Sequence, residues 1–207
     1  MMELKLTNTE QTILESAEKI FIQKGFTGTR TTEIARAAGV NHALLHYYFR
    51  TKEALFERIF REKFTQMLDA FVETVDGNLS FFEKLKFIIE KHFDFIAENP
   101  GLPFFIIREV IQNDDRKKVF REKMAPIASE IIRRISFSVE KEIEKGTIRP
   151  IYPQDLLMNI LSLNVFSFVA PQILFDGNDD EPSVMRRQFL EQRRKNNVET
   201  IINSIKI

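Results

Sequence analysis

Apolar residues recur at three- and four-residue steps along almost the whole chain, and this spacing places them on one face of a helix. The first such stripe consists of Ile13, Leu14, Ala17, Ile20 and Phe21. The alternating apolar and polar pattern of a half-buried strand is not convincing anywhere in the 207 residues. The sequence therefore predicts an all-α fold.

Capping residues and breakers divide this pattern into separate helices. Thr7-x-x-Glu10 and Ser80-x-x-Glu83 are capping boxes, in which side chains satisfy backbone N–H groups of the first turn. Pro126 is expected to kink or interrupt a long helix, because proline removes a backbone donor. The predicted helices span about residues 7–25, 31–38, 41–48, 52–75, 81–98, 103–112, 115–145, 153–175 and 183–206.

Composition excludes several classes of protein. The chain has no cysteine, which excludes disulfide scaffolds, cysteine zinc fingers and thiol nucleophiles. Lys and Arg number 30, as do Asp and Glu, so the chain is neither a histone-like basic binder nor an acidic tail. A hydrophobic content of 43% argues against disorder. The 20 phenylalanines, beside no tryptophan, predict a large apolar interior or an apolar pocket.

Residues 156–175 carry no charge, as a membrane-spanning helix would require. Asp155 and Asp176 flank them, in place of the Lys and Arg that anchor spans. A helix buried on all sides is the favoured interpretation, and a membrane-attached helical protein is the alternative. The first residues lack the apolar core of a signal peptide, so a cytoplasmic location is expected.

Residues 31–48 have the pattern of a helix-turn-helix. Ala35 is small enough for two helices to cross closely, and Gly39 suits the tight turn between them. Val40 and Leu45 are placed to hold the second helix against the core. The DNA-binding form of this motif inserts its second helix into the major groove, although any helical corner with a glycine turn has a similar pattern.

The motif lies inside a longer and more specific pattern. Its segments are ILESAEKIF at 13–21, KGF at 24–26, Thr29, EIA at 33–35, AGV at 38–40, YYF at 47–49 and TKEALF at 51–56. With these segments, residues 13–60 closely resemble the N-terminal domain of TetR-family transcriptional regulators. The resemblance implies a three-helix DNA-binding domain at 1–65 and a larger helical ligand-binding and dimerisation domain at 66–207. It implies a repressor that leaves a pseudo-palindromic operator when a small apolar molecule binds.

The resemblance also implies which residues contact DNA. Thr31 and Thr32, at a helix N-terminus, match phosphate contacts, as do Tyr47 and Lys52. The recognition helix carries Asn41, His42, Ala43, Leu44 and His46. The family often has Gly-Thr in place of Ala43-Leu44 and Tyr in place of His46. We therefore expect few hydrogen bonds to base edges, with apolar contact to a thymine methyl from Ala43 or Leu44.

A ligand cavity is expected in the C-terminal part, where 14 of the 20 phenylalanines lie. The predicted apolar walls are Phe87, Phe93, Phe104, Phe105 and Phe168. The predicted polar anchors are His92, Arg108, Glu109, Tyr152 and Asn164. The alternative is that most of these phenylalanines are ordinary core residues and that His92 is an interior histidine.

A homodimer is expected through helices at about 153–175 and 183–206, paired with the same surface of a second copy. Residues 27–63 carry seven basic and four acidic side chains, a net charge of 7 − 4 = +3. This charge is modest for a polyanion, so two DNA-binding domains are expected to act together. They would read half-sites about 34–36 Å apart, or a small multiple of that distance.

Two further patterns have other interpretations. His42 and His46 lie four residues apart, as metal ligands of a helical enzyme could. No third ligand, partnered nucleophile or phosphate loop is evident, so no metal, cofactor or catalytic residue is expected. A basic cluster could form a second nucleic-acid surface, although a solvated helix face is the favoured interpretation. Its members are Arg186, Arg187, Arg193, Arg194 and Lys195.

Overall fold

A computed structural model describes residues 8–75, 79–111, 114–174 and 184–207. Within these ranges the chain forms nine helices and no strand, which confirms the predicted all-α class. The helices are α1 (Asn8–Gly28), α2 (Thr31–Ala37), α3 (His42–Phe49), α4 (Lys52–Val75), α5 (Phe81–Glu98), α6 (Leu102–Ile111), α7 (Asp114–Glu144), α8 (Pro153–Leu174) and α9 (Val184–Ile205).

The helix ends follow the predicted caps and breakers closely, with two differences. The Ser80 capping box is formed, with its Oγ accepting from the backbone N–H of Glu83. Gly25 has the expected positive φ of 75°, but helical turns resume after it and α1 ends at Gly28. The helix α7 continues through Pro126 and is not interrupted there. The predicted cap at Thr7 lies outside the described residues.

The first hydrophobic core is formed by the helices α1, α2, α3 and α4 together with α6. Phe21, Phe56 and Phe60 of this core surround Phe105, which comes from α6. We call α1–α3 with the N-terminal half of α4 the head. Since Phe105 is buried in the core of the head, the head and α6 share one apolar interior. The proposed domain boundary at residue 65 falls inside the continuous helix α4.

The second core lies among α5, α7, α8 and α9. Ile89, Val139, Ile160 and Ile201 are among its fully buried members. Helix α8 is at its centre, because it packs on α5, α7 and α9. A smaller cluster of Phe93, Ile96 and Phe168 extends this core along α5 and α8.

Helix α8 is not buried on all sides within one chain. Leu156, Ile160 and Phe168 face the core. Met158 is 59% exposed and Phe166 is 60% exposed, so the outward strip of α8 carries two apolar side chains beside the exposed Asn159 and Ser162. No helix within the described residues is long and apolar enough to span a membrane.

Candidate nucleic-acid interface

The two helices of the predicted motif meet as a close-packed corner. Gly39, with φ +68°, provides the turn between α2 and α3. The N–H of Val40 donates to the carbonyl of Ala35 at 3.0 Å, and Ala35 is buried against the core. Leu45 and Phe49 bury the inner face of α3. The orientation of α3 is therefore determined by packing within the head.

The outer face of α3 carries most of the predicted base-reading side chains. His42, Ala43 and His46 are exposed, and Leu44 is half-buried. Tyr47 is 78% exposed, so its ring stands out from the end of this face. In the DNA-binding form of this motif, the corresponding surface of the second helix lies in the major groove.

Asn41 has a structural task that the sequence pattern did not reveal. Its side chain accepts from the backbone N–H of Leu44 at 2.7 Å, so it is the N-cap of α3. Asn is a favoured N-cap because its oxygen satisfies one of the free N–H groups of the first turn. The residue type at the helix start was a usable signal for this role.

Thr31 and Thr32 lie in the first turn of α2, where backbone N–H groups and the helix dipole favour phosphate. The Oγ1 of Thr31 lies 2.9 Å from Nε2 of His42. If His42 donates its Nε2 proton, the Thr31 hydroxyl keeps its own proton for a phosphate oxygen. Thr32 is exposed beside it.

His46 is tied to the end of its own helix. Its Nδ1 lies 2.7 Å from the carbonyl oxygen of Arg50, the C-cap of α3. Arg50 has φ 48°, the only positive φ of a non-glycine residue in the described part of the chain. Its carbonyl can therefore face back towards the imidazole. The rings of His42 and His46 contact each other edge to face, with centroids 4.4 Å apart.

Lys52 contacts the protein's own backbone. Its ammonium group donates to the carbonyls of Phe26 and Thr29 at 2.8 and 2.9 Å. It also lies 4.4 Å from the centroid of the Phe26 ring. Lys52 thus connects the start of α4 to the end of α1 and the loop before α2, and one of its three N–H groups has no hydrogen-bond partner among the described residues.

Three contacts connect the head to residues 99–108, which lie after α5 and on α6. Lys63 Nζ lies 2.9 Å from a carboxylate oxygen of Glu18 and 2.7 Å from the amide oxygen of Asn99, after α5. Arg108 on α6 donates to the carbonyl of Phe21 at 3.1 Å. A Cβ at Gly101 would lie only 2.5 Å from Ile22, so glycine permits this approach. Long-range contacts of this kind have no local sequence signal.

Four of the predicted ligand residues meet between α5 and α8. The rings of Phe93 and Phe168 lie 4.8 Å apart, and Nδ2 of Asn164 lies 3.1 Å from Nδ1 of His92. All four side chains are buried. Burial lowers the pKa of His92 to about 4, so the imidazole is neutral at pH 7.

The other predicted ligand residues lie elsewhere. Phe105 and Arg108 contact the head, and Phe104 is exposed on α6. Tyr152 is 76% exposed before α8, and the ring of Phe87 lies under the ammonium group of Lys91. The side chain of Glu109 lies outside the described part.

A cavity of about 10 Å³ lies between α1, α4 and α6, against Phe21, Phe60 and Phe105. It has room for about one water molecule and so is too small for an organic ligand.

Asn164 and His92 belong to a larger polar network, which we define as His92, Asn164, Ser167, Arg193 and Asn197. Asn197 Nδ2 donates to Asn164 Oδ1 at 2.8 Å, and Arg193 donates to Asn197 Oδ1 at 2.6 Å. Asn164 also donates to the carbonyl of Ile89 at 2.9 Å. Within the described residues no buried side-chain N or O atom of this or any other group is left without a partner.

The basic cluster on α9 is partly used inside the protein. Arg194 pairs with Asp94 at 2.7 Å and with Glu90 at 2.9 Å, both on α5. Arg193 belongs to the polar network.

In the part of the chain that the structure describes, no three His, Asp or Glu side chains are grouped so as to hold a metal ion. This includes the surroundings of His42 and His46.

Comparison with known proteins agrees with this geometry. The family model of bacterial regulatory proteins of the tetR family matches residues 13–59. The probable HTH-type transcriptional regulator YttP of Bacillus subtilis is 36% identical over 106 residues, which cover 50% of this chain and 51% of that protein. The fatty acid metabolism regulator protein of Bacillus subtilis is 25% identical over 137 residues, 66% of this chain and 69% of that protein.

Similarity to solved structures extends beyond the head. The regulator FadR from Bacillus subtilis, solved in complex with stearoyl-CoA, matches with a TM-score of 0.68 and 21% identity. The match covers 93% of this chain and 97% of that one, and at this identity it shows a common fold. The matched motif, the related regulators and the fold all support a TetR-family transcriptional regulator.

Proposed function

We propose that the protein is a homodimeric repressor whose head binds a pseudo-palindromic operator and whose C-terminal domain responds to an apolar ligand. The observation that carries this proposal is the exposed outer face of α3, held by the buried Leu45 and Phe49. It lies beside the first turn of α2, which has no side-chain N-cap. The match of residues 13–59 to the tetR-family model supports it. The proposal assigns no catalytic role, and it places the protein in the cytoplasm, where the DNA is.

In this proposal the contacts to DNA divide into two classes. Thr31, Thr32, Tyr47 and the remaining N–H of Lys52 bind phosphates and so position the head. The exposed side chains of α3 face the base edges and provide sequence selectivity. Asn41 contributes by capping α3, which orients the first turn of the recognition helix.

Two exposed tyrosines allow a matched test of the phosphate contacts. We expect Tyr47→Ala to weaken binding to all duplex sequences alike and to lower the dependence of affinity on salt. Tyr152→Ala removes an equally exposed tyrosine outside the head and should leave DNA binding unchanged. Loss of affinity for one sequence alone after Tyr47→Ala, or an equal loss in both variants, would contradict the proposed role.

For the ligand, we propose a molecule with a long apolar chain that enters between α5 and α8. The packed pair Phe93 and Phe168 supplies apolar walls there, with His92 and Asn164 as the polar groups beside them. These side chains are in contact, so a ligand would have to separate α5 and α8. The match to FadR in complex with stearoyl-CoA provides the first probe molecule.

The ligand proposal is tested by titrating stearoyl-CoA into the protein–DNA complex, with coenzyme A alone as the control. We expect stearoyl-CoA to release the DNA, because a ligand that prefers one state of the dimer disfavours the other. Coenzyme A alone should have no effect. Release by both compounds, or by neither, would contradict an effector recognised through its apolar chain.

The dimer is proposed to form through the outward strip of α8 together with α9. Met158 and Phe166 would be buried against the same surface of a second copy. We expect Phe166→Glu to give folded monomers, because it places a charge in this contact without touching the chain's own core. Sedimentation of an unchanged dimer would exclude this surface.

A further inference from the structure

We propose that His46 reads one base pair in each half-site as a hydrogen-bond acceptor, selecting adenine or cytosine on one strand. The inference deepens the proposed function and rests on it. It goes beyond the expectation that α3 makes mostly apolar contacts with bases. The residue that carries it is one of two histidines on the outer face of α3.

The tautomer of His46 follows from its partner. A carbonyl oxygen can only accept a hydrogen bond, so the contact of 2.7 Å between Nδ1 of His46 and the Arg50 carbonyl requires the proton on Nδ1. In a neutral imidazole the other nitrogen, Nε2, then carries a lone pair and no proton. The C-cap of α3 therefore makes His46 an acceptor at Nε2.

The position of that lone pair suits the major groove. His46 is exposed on the same face of α3 as His42 and Ala43, while Leu45 and Phe49 face the core. With Nδ1 held by the end of the helix, Nε2 lies on the far side of the ring from this contact. Among the described residues Nε2 has no hydrogen-bond partner.

The neighbouring histidine is in a different situation. Nε2 of His42 lies 2.9 Å from the Thr31 hydroxyl, so that nitrogen is already occupied within the protein. The edge-to-face contact of the two rings restricts the orientation of His46 further. Of the two imidazoles, His46 is thus the one with a free nitrogen of known hydrogen-bonding character.

The hydrogen-bonding groups of the base edges then identify the partner of His46 Nε2. In the major groove, the amino groups of adenine (N6) and cytosine (N4) are the hydrogen-bond donors, whereas guanine and thymine present acceptors at the corresponding positions. An acceptor at Nε2 therefore selects adenine or cytosine over guanine or thymine on the strand that it faces. One neutral hydrogen bond corresponds to a preference of about 2- to 10-fold.

The test is to select bound sequences from a randomised duplex DNA pool with the full-length protein. The selection is done at about pH 8, where an ordinary histidine is neutral. We expect wild-type protein to enrich adenine or cytosine at one position in each half-site. His46→Asn keeps an N–H donor for the Arg50 carbonyl but is too short to replace Nε2, so the preference at that position should disappear while thermal stability is retained. His46→Arg offers only donors and should shift the preference to guanine.

Tyr152→Ala is the control, since it removes an exposed side chain outside the head. It should keep the preference at the His46 position. An unchanged base preference in His46→Asn or His46→Arg would overturn the inference, and so would its loss in the Tyr152 variant. If wild-type protein enriches no sequence at all, the proposed function itself fails, which separates the two outcomes.

Discussion

The head and the C-terminal bundle are built around different kinds of interior. The head closes on apolar groups, among them the rings of Phe21, Phe56 and Phe60 around Phe105. The bundle of α5, α8 and α9 has the polar network in its middle, with Asn164 and Asn197 fully buried. An aromatic core is stabilised by close packing and by the apolar area that it buries. A buried polar core is stable only when every hydrogen bond is made.

This difference corresponds to what each part is proposed to do. A head that reads base edges needs one fixed orientation of α3, and dense apolar packing provides it. A bundle that accepts a ligand must be able to adopt a second arrangement of its helices. Polar groups that can exchange partners are one route to such a second arrangement, and His92 and Asn164 lie where the ligand is proposed to enter.

The largest effect is expected from Phe105→Ala. The substitution leaves a cavity in the core that the head shares with α6, and truncating a buried phenylalanine lowers the free energy of unfolding by about 3–5 kcal/mol. Phe137→Ala, at a phenylalanine that is 69% exposed on α7, is the control and should cost less than about 1 kcal/mol. Equal effects in urea unfolding would show that α6 is not inserted into the head.

The next effect is a dependence of stability on pH that belongs to the bundle. Burial lowers the pKa of His92 to about 4, against 6.5 in the unfolded chain. Below pH 6.5 the unfolded state therefore takes up a proton that the folded state does not. The contribution of neutral His92 to the free energy of unfolding is complete above pH 6.5 and is lost as the pH falls towards 4. The expected loss is about 3 kcal/mol.

Urea unfolding of wild-type protein and His92→Gln across this pH range measures that contribution. The variant should lack the His92 part of the slope, so the difference in unfolding free energy between the two proteins should narrow towards pH 4. Parallel curves would contradict a neutral, buried His92.

A somewhat smaller effect is expected from Asn164→Leu, which keeps the approximate volume but removes the hydrogen bonds to His92, Asn197 and the Ile89 carbonyl. Buried groups left without partners should lower the unfolding free energy by about 2–3 kcal/mol. Asn203→Leu makes the same change at an exposed position near the end of α9 and should stay within about 0.5 kcal/mol of wild type. Stability unchanged by Asn164→Leu would remove the contrast between the two interiors.

The smallest effect concerns the connection between the two parts. Lys63→Met keeps an apolar stem but removes the ammonium group that bridges Glu18 and Asn99. For a partly exposed bridge the expected loss is about 0.5–1 kcal/mol. The more telling measurement is hydrogen exchange, in which protection should fall in α1 and around Asn99 together. A change confined to α4 would show that Lys63 does not couple them.

The sequence predicted most of the helix boundaries, because caps and breakers act over a few residues. Ser80 and Gly39 behave as such local signals require. The family pattern likewise predicted which residues lie on the outer face of α3. Among the phenylalanines, by contrast, nothing in the local sequence distinguishes Phe105, in the core of the head, from Phe168, in the bundle.

The remaining features depend on contacts between distant parts of the chain. Lys52 matches a phosphate contact in the family pattern, yet two of its donors bind backbone carbonyls 23 and 26 residues earlier. The hydrogen bond between Asn197 and Asn164 spans 33 residues. Such pairs form only when the helices are packed, so no window along the sequence can reveal them.

Footprinting of the purified protein on the DNA that flanks its own gene tests the central claim most directly. The account predicts two protected half-sites, related by a pseudo-two-fold axis and about one helical turn or a small multiple apart. It also predicts that Tyr47→Ala weakens this protection whereas Tyr152→Ala does not. Protection without such symmetry, or protection that is insensitive to Tyr47, would contradict a dimer that reads DNA with α3.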